Sequence, residues 1–467
     1  MSFYNRFISC QTMIKKDQIA GVIPSDSSIY KRTFSIAWPS TVESVLISLM
    51  SVVDMVMVGG IGANAIASVG ITNQPKFILL AVILSLNVGV TVIVSRRKGE
   101  RNQDAANSCL RQAILISLAA SFLLSLLGFI YAKPIMLLAG ANHQYVKLAT
   151  IYFQAIMIGN FFNSVSLTIN AAQRGCGNTK VALRTNVTAN IINLIFDYLL
   201  INGIGFFPTL GVLGAGIATS IGNIIAFMMS LYSICDIHGF LSINFKQNWR
   251  FDSKTIHDIF HISSSAFAEQ VFMRIGFFMY AKTVAALGMI AFATHQVCMN
   301  ILNISFAVGD GLSVATSSLV GQSLGAKRKD MAIIYAKTTQ RIGLVIGFLL
   351  SSIMIILRTQ VIQIFSNDPI IIAQGSQIIF IICATMMFQI TQVITFGCLR
   401  GAGDVKFTAT VSLISVAAIR PTLTYLLAFP LGLGLIGAWF SLFLDQLVRF
   451  TCSKIRFIQG KWVHIKV

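Results

Sequence analysis

"QRGCGNTK" at residues 173–180 returns as "LRGAGDVK" at 399–406, a shift of 226 in a chain of 467 residues. Each copy closes a long apolar run. The same shift pairs Glu43 with Glu269, Gly62 with Gly288, Ala65 with Ala291 and Ala67 with Ala293. It also pairs Gly99 with Gly325 and Asp104 with Asp330, and farther on a shift of 223 aligns "LGAG" (213–216) with "IGAW" (436–439). A colinear series over most of each half marks an internal duplication.

The duplicated unit belongs in a membrane. The chain is 55% hydrophobic and 11% charged, with a mean hydropathy of +0.77, outside the range of soluble domains. Twelve apolar runs recur, near 33–58, 72–94, 111–132, 148–172, 185–207, 212–235, 258–282, 295–321, 340–358, 374–399, 408–430 and 432–450. Each can cross a hydrocarbon layer of about 30 Å. Six runs per half is an even number, so both halves enter from the same side as parallel repeats. The expected fold is an all-α integral membrane protein, twelve transmembrane helices forming two parallel six-helix bundles around a central cleft. Its parts are a tail (1–30), a bundle (31–235), a linker (236–256), a second bundle (257–450) and a basic tail (451–467). No removable signal peptide is read in the first 30 residues, and the first span is expected to serve as the insertion signal.

A net charge of +19 invites a nucleic-acid reading, but the location of the charges argues against it. With the N-terminus inside, 28 of the 35 Lys and Arg fall in cytoplasmic segments such as "SRRKGER" (95–101) and "GAKRKD" (325–330). The external loops hold five: Lys76, Lys133, Lys147, Lys282 and Arg358. This asymmetry predicts both termini in the cytoplasm of a cell (plasma or inner) membrane. Eight Cys are scattered singly without a CxxC pair, so neither a disulfide framework nor a zinc site is indicated. "HDIFH" (257–261) lacks the Glu of a zinc-protease helix and reads as an interfacial His pair. With no nucleophile–base constellation, paired metal ligands or phosphate loop, no enzyme activity is expected. No cofactor is expected beyond a coupling ion.

Six acids fall within spans: Glu43, Asp54, Asp197, Glu269, Asp310 and Asp445. A carboxylate at the bilayer centre costs about 3 kcal/mol even on lenient scales, and such groups commonly mark ion pathways. Asp197, in "NIINLIFDYLLI" (190–201), ends a stripe with Asn186, Asn190 and Asn193 whose spacing keeps them on one helix face. That face must turn inward, because lipid offers no partner; a structural seam of hydrogen bonds is the alternative reading. Glu43 and Asp54 lie 11 residues apart, about three turns, on one face of the first span. Asp54 and Asp197 could converge inside the first bundle, taking up a proton or holding Na⁺ with the Asn193 oxygen and a hydroxyl. The repeat aligns Asp54 with Tyr280, and Asp197 with Arg420 in "AIRPTLTY" (418–425). The second half has lost both acids and gained a cation, which puts the ion site in the first. Glu43 and Glu269 occur in both halves, which fits packing or gating as well as it fits coupling. Asp310, between glycines, and Asp445, four residues before Arg449, read as structural.

These features resemble the multidrug and toxic compound extrusion (MATE) transporters over residues 30–450. The resemblance is carried by "WPSTVESVLISLMSVVDMVMVGGIGANAIASVG" (38–70) and its weaker copy "SSSAFAEQVFMRIGFFMYAKTVAALGMIAFATHQ" (263–296). "QRGCGNTK", "LRGAGDVK" and "LGVLGAGIATSIG" (210–222) complete it. Within the family the chain is similar to the DinF-like branch, with its cation site in the N-terminal lobe. That likeness assigns coupling to Asp54, Asn193, Asp197 and Thr219, and makes Asn170 a polar position of the fourth span. A second branch uses a tenth-span acid where this chain has Gln389, although Glu269 matches that branch's seventh-span acid. Glu43, Asn170, Asn190, Glu269 and Arg420 are secondary cleft or gating candidates. The resemblance implies export of small organic, often cationic or amphipathic, compounds in exchange for H⁺ or Na⁺; the chain is expected to act as a monomer in the lipid bilayer. A lipid-linked precursor flippase of the same superfamily is the alternative. It would want several Arg or Lys facing the cleft, and only Arg274 and Arg420 lie within spans. A membrane enzyme or a purely structural membrane protein is more distant.

Overall fold

The structure, a computed structural model, describes residues 9–14, 18–205, 207–236, 239–243 and 249–465. Parts of the N-terminal tail and of the linker, and Lys466 of the basic tail, therefore lie outside the described residues. The long elements are twelve helices. In the first half they are α1 (Asp26–Gly59), α2 (Ala63–Gly99), α3 (Gln103–Ile130), α4 (Val146–Gly175), α5 (Thr179–Asn202) and α6 (Val212–Cys235). The second half follows with α7 (Ser253–Ala285), α8 (Met289–Gly325), α9 (Lys329–Ile356), α10 (Pro369–Gly401), α11 (Val405–Ala428) and α12 (Gly434–Gln459). Short helices, Ala132–Leu138 and Arg358–Gln363, precede α4 and α10.

The twelve apolar runs fall one to one on these helices. Nine of the helices are long and apolar enough to cross a membrane, among the described residues. The other three, α1, α5 and α7, have 34, 24 and 33 residues. Of these, α5 is made more polar by Asp197 and the Asn stripe, and α7 by Glu269 and Arg274.

The duplication is visible in the backbone as well as in the side chains. Arg101 and Lys327, at equivalent places after α2 and α8, both have φ of 58°, a left-handed conformation uncommon outside glycine. Gly177 and Gly403, in the two "RGxG" turns, have φ of 83° and 93°. The repeated motifs are thus turns that reverse the chain between spans, and glycine adopts their positive φ without steric cost.

Packing divides the chain differently from the repeat. One compact unit is Val45–Phe267, and the other combines Met1–Ser44 with Ala268–Val467. The division falls inside α1 and α7, so each half lends the start of its first span to the other unit. In the Val45–Phe267 unit, a core of Met136, Phe153, Ile156, Met157, Ile201 and Val212 holds α4, α5 and α6 together. In the other unit, Tyr280, Ile301, Ile382 and Trp439 form one core. A second core, with Leu324, Cys398, Phe457 and Trp462, lies at the end bearing the termini. Large apolar residues such as Phe122, Leu123, Phe348 and Ile356 remain exposed on the surface, as expected of faces turned to lipid.

Small residues bring the helices of the first unit close. A Cβ on Gly159 of α4 would lie 2.5 Å from Ser220 Oγ of α6, and Ser220 Oγ donates to Ala155 O at 2.6 Å. Close backbone approach through Gly, Ala and Ser is how helices associate where burial from water gives no drive.

Candidate functional site

The site in the first unit begins with a glycine. A Cβ on Gly222 of α6 would stand 2.8 Å from Ala189 O and 3.2 Å from Asn193 Cβ. Glycine therefore lets α5 lie directly on α6 and carries Asn193 to Thr219, with Nδ2 3.5 Å from Oγ1. Thr219 Oγ1 spends its proton on Ala215 O at 2.9 Å, which leaves its oxygen lone pairs for other partners. One turn along α5, the Asn193 side chain also reaches Asp197.

Asp197 is 2% exposed, and its Oδ1 is buried without a hydrogen-bond partner. Asp54 Oδ1, on α1, is in the same condition. The two carboxylates act on each other, and both act on the buried Tyr152 of α4. The cation whose charge bears on Asp54 is Lys76 of α2. Two carboxylates repelling one another in a low-dielectric interior gain from any proton or small cation placed between them. Carboxylate, carboxamide and hydroxyl oxygens are hard donors suited to such an ion.

The other sequence candidates lie elsewhere. Asn170 Oδ1 accepts from Ser230 Oγ at 3.3 Å, and Ser230 in turn meets Ser166 at 2.7 Å, a seam between α4 and α6. Asn190 is half-buried on α5, one turn before Asn193. Glu43 is buried, and it belongs with the second-half helices rather than with Asp54. Glu269 accepts from Arg400 Nη2 at 2.5 Å, Thr408 Oγ1 at 3.2 Å and Ser412 Oγ at 3.2 Å.

Arg420 is fully buried and donates through Nε, at 3.1 Å, and Nη2 to Asp445 Oδ2. Asp445 also accepts from Arg449 Nη2 at 3.1 Å and from Ser415 Oγ. The local Asp445–Arg449 pair expected from the sequence is present, but Arg420 and Ser415 enlarge it into a network. A π-helical segment, Leu413–Ile419, supplies Ser415 and turns Arg420 inward, and the Arg420 guanidinium lies 4.9 Å above the Phe277 ring. The acids of the second half that face these arginines are saturated. Asp54 and Asp197 are not.

Three participants escaped the sequence reading. Tyr152 lies 18 residues, five turns, before Asn170, so the polar face of α4 could have shown it. Lys76 was expected in an external loop, but it lies well within α2; the helix starts at Ala63, farther out than the apolar run suggests. The Arg420–Asp445 bond joins different spans, and no periodicity reports it.

A duplicated twelve-helix bundle with unsaturated carboxylates buried in one half defines a multi-pass membrane transporter. The chain belongs to the MatE family, whose model matches residues 39–199 and 266–426, once in each half. It is 27% identical over 434 residues to the uncharacterized transporter YisQ of Bacillus subtilis, covering 92% of this chain and 94% of that one. To the probable multidrug resistance protein NorM of Thermotoga maritima it is 25% identical, covering 93% of each. Among solved structures, an outward-facing multidrug resistance MATE family transporter of the MOP superfamily matches with a TM-score of 0.86 at 18% identity, covering 93% of this chain and 97% of that one. The family consists of transporters rather than enzymes.

Proposed function

We propose that the protein is a secondary antiporter that exports small organic, cationic or amphipathic compounds in exchange for H⁺ or Na⁺. Asp54 and Asp197 bind the ion, with Asn193 and Thr219 supplying further oxygens, as in the DinF-like branch that the sequence resembles. One observation carries the reading: among the intramembrane acids, these two leave a buried oxygen without a partner. Similarity to the probable multidrug resistance relatives supports drugs as the exported compounds.

Loading the ion removes the repulsion between the carboxylates and so favours the packing of α1, α4 and α5 that brings them together. Unloading favours a rearrangement that relaxes it. The ion can shift this equilibrium only by its differential affinity for the two states. Glu269 and Asp445, neutralised by Arg400, Arg420 and Arg449, take no part in ion exchange. The excess of Lys and Arg at the end bearing the termini supports a cytoplasmic location for both, in the cell membrane.

The test is transport into proteoliposomes with a pH gradient alone and then with a sodium gradient alone. One of the two should drive accumulation of a cationic dye. Failure of both to exceed a no-gradient control would remove the antiport reading.

A further inference from the structure

Beside the ion site, the second unit carries a separate feature at the end bearing the termini. The N-terminal residues 9–14 do not trail away but lie on α9, with Cys10 0% exposed and Met13 and Ile14 buried. Cys10 N donates to Asp26 Oδ1 at 2.8 Å, which ties this strap to the start of α1. What holds its backbone is basic: Lys337 Nζ donates to Met13 O at 2.5 Å, and Arg341 Nη1 donates to Ser9 O at 3.3 Å. Lys454 of α12 bears on Lys337 as a like charge, and its own Nζ donates to Gln340 Oε1 at 3.3 Å.

Three half-buried cations thus share one spot, and among the described residues none is paired with a carboxylate: Lys337 and Arg341 meet strap carbonyls, and Lys454 meets Gln340 and the Phe457 ring. Two neighbouring arginines, by contrast, are paired with acids: Arg328 with Asp330, and Arg456 with Asp404. Lys337 sits about two turns into α9 and Lys454 about one turn from the end of α12. Lys337 lies just before the apolar run of α9 and Lys454 just after that of α12, where a spanning helix leaves the hydrocarbon for the headgroups. Backbone carbonyls carry partial charge, whereas a phosphodiester brings a full negative charge and forms charge-assisted bonds about twice as strong.

We propose that Lys337, Arg341 and Lys454 form a site for the phosphate of an anionic phospholipid headgroup, and that the strap of residues 9–14 occupies it in competition. Binding of the lipid lifts the strap and frees the start of α1 from it. The proposal needs neither the coupling ion nor the exported compound. On the orientation proposed above, the lipid belongs to the cytoplasmic leaflet.

Cys10 reports the strap directly. Its thiol is fully covered, and burial pushes it up to about 11, so it resists alkylation while the strap is down. The full chain is reconstituted in phosphatidylcholine vesicles and in vesicles with equal parts of phosphatidylglycerol, and maleimide labelling of Cys10 is followed by peptide mass spectrometry. Labelling at least about tenfold faster with phosphatidylglycerol is expected, as for a locally opened segment. The lipid dependence should vanish in Lys337→Gln/Arg341→Gln, whether or not its strap stays down. Lys454→Gln, whose side chain donates to Gln340 rather than to the strap, should weaken the dependence and leave Cys10 protected in phosphatidylcholine. Equal rates in the two vesicles overturn the proposal, as does a lipid dependence that survives in the double variant. The same acceleration by free inorganic phosphate in phosphatidylcholine vesicles overturns the assignment to a headgroup.

Discussion

Asp197 and Asp445 are both buried carboxylates in apolar spans, yet they should respond oppositely to the same substitution. Asp445 accepts from two guanidinium groups and a hydroxyl. Asp445→Asn strands two buried cations and should cost about 3–5 kcal/mol, read as a lower melting temperature in detergent. Asp197→Asn removes an unsaturated charge, so its melting temperature should stay level or rise. Lys76 competes electrostatically with any cation at Asp54. Lys76→Gln should tighten cation binding by about threefold or more, measured by protection of the protein against thermal unfolding as the ion is titrated. At this scale the sequence exposes a lone acid among apolar residues, because its cost shows in the local composition. It also offers Asp445 a local partner in Arg449, but hides Arg420, which only the packing of α11 on α12 sets beside Asp445.

At the scale of the element, the site depends on how closely α5 lies on α6. Gly222→Val would drive a side chain into Ala189 O and Asn193, with an overpacking cost of about 1–3 kcal/mol. The protein should remain folded but bind the coupling ion more weakly, because Asn193 and Thr219 separate. Ion protection against thermal unfolding compared with Gly159→Ala, which strains α4 against α6 instead, checks this. Element positions were legible because apolar runs of membrane length have few alternatives. Element ends were less so: α1 starts at Asp26 and α2 at Ala63, beyond the runs that announce them, since helix continues where capping and packing allow. The π-helical segment in α11 has no sequence signature beyond Pro421 after it. It redirects Arg420, and with it the electrostatics of the second half.

For the whole molecule, one backbone plan carries two electrostatic outcomes. The turns at Arg101 and Lys327, and at Gly177 and Gly403, match across the halves. The first half, however, leaves buried oxygens of Asp54 and Asp197 without partners, and the second pairs Glu269 and Asp445 with arginine. The duplication was legible from "QRGCGNTK" and its copy. The exchange of the starts of α1 and α7 between packing units was not, because a repeat records ancestry and not contact. The proposed coupling of an ion gradient to export by the Asp54–Asp197 pair is tested by a transport comparison. Wild-type protein and Asp197→Asn are reconstituted at equal folded density, and dye export is followed under the gradient that drives the wild type. Gradient-driven export should fall at least about tenfold in the variant, consistent with loss of an intramembrane ion ligand. Undiminished gradient-driven export by folded Asp197→Asn protein would contradict it.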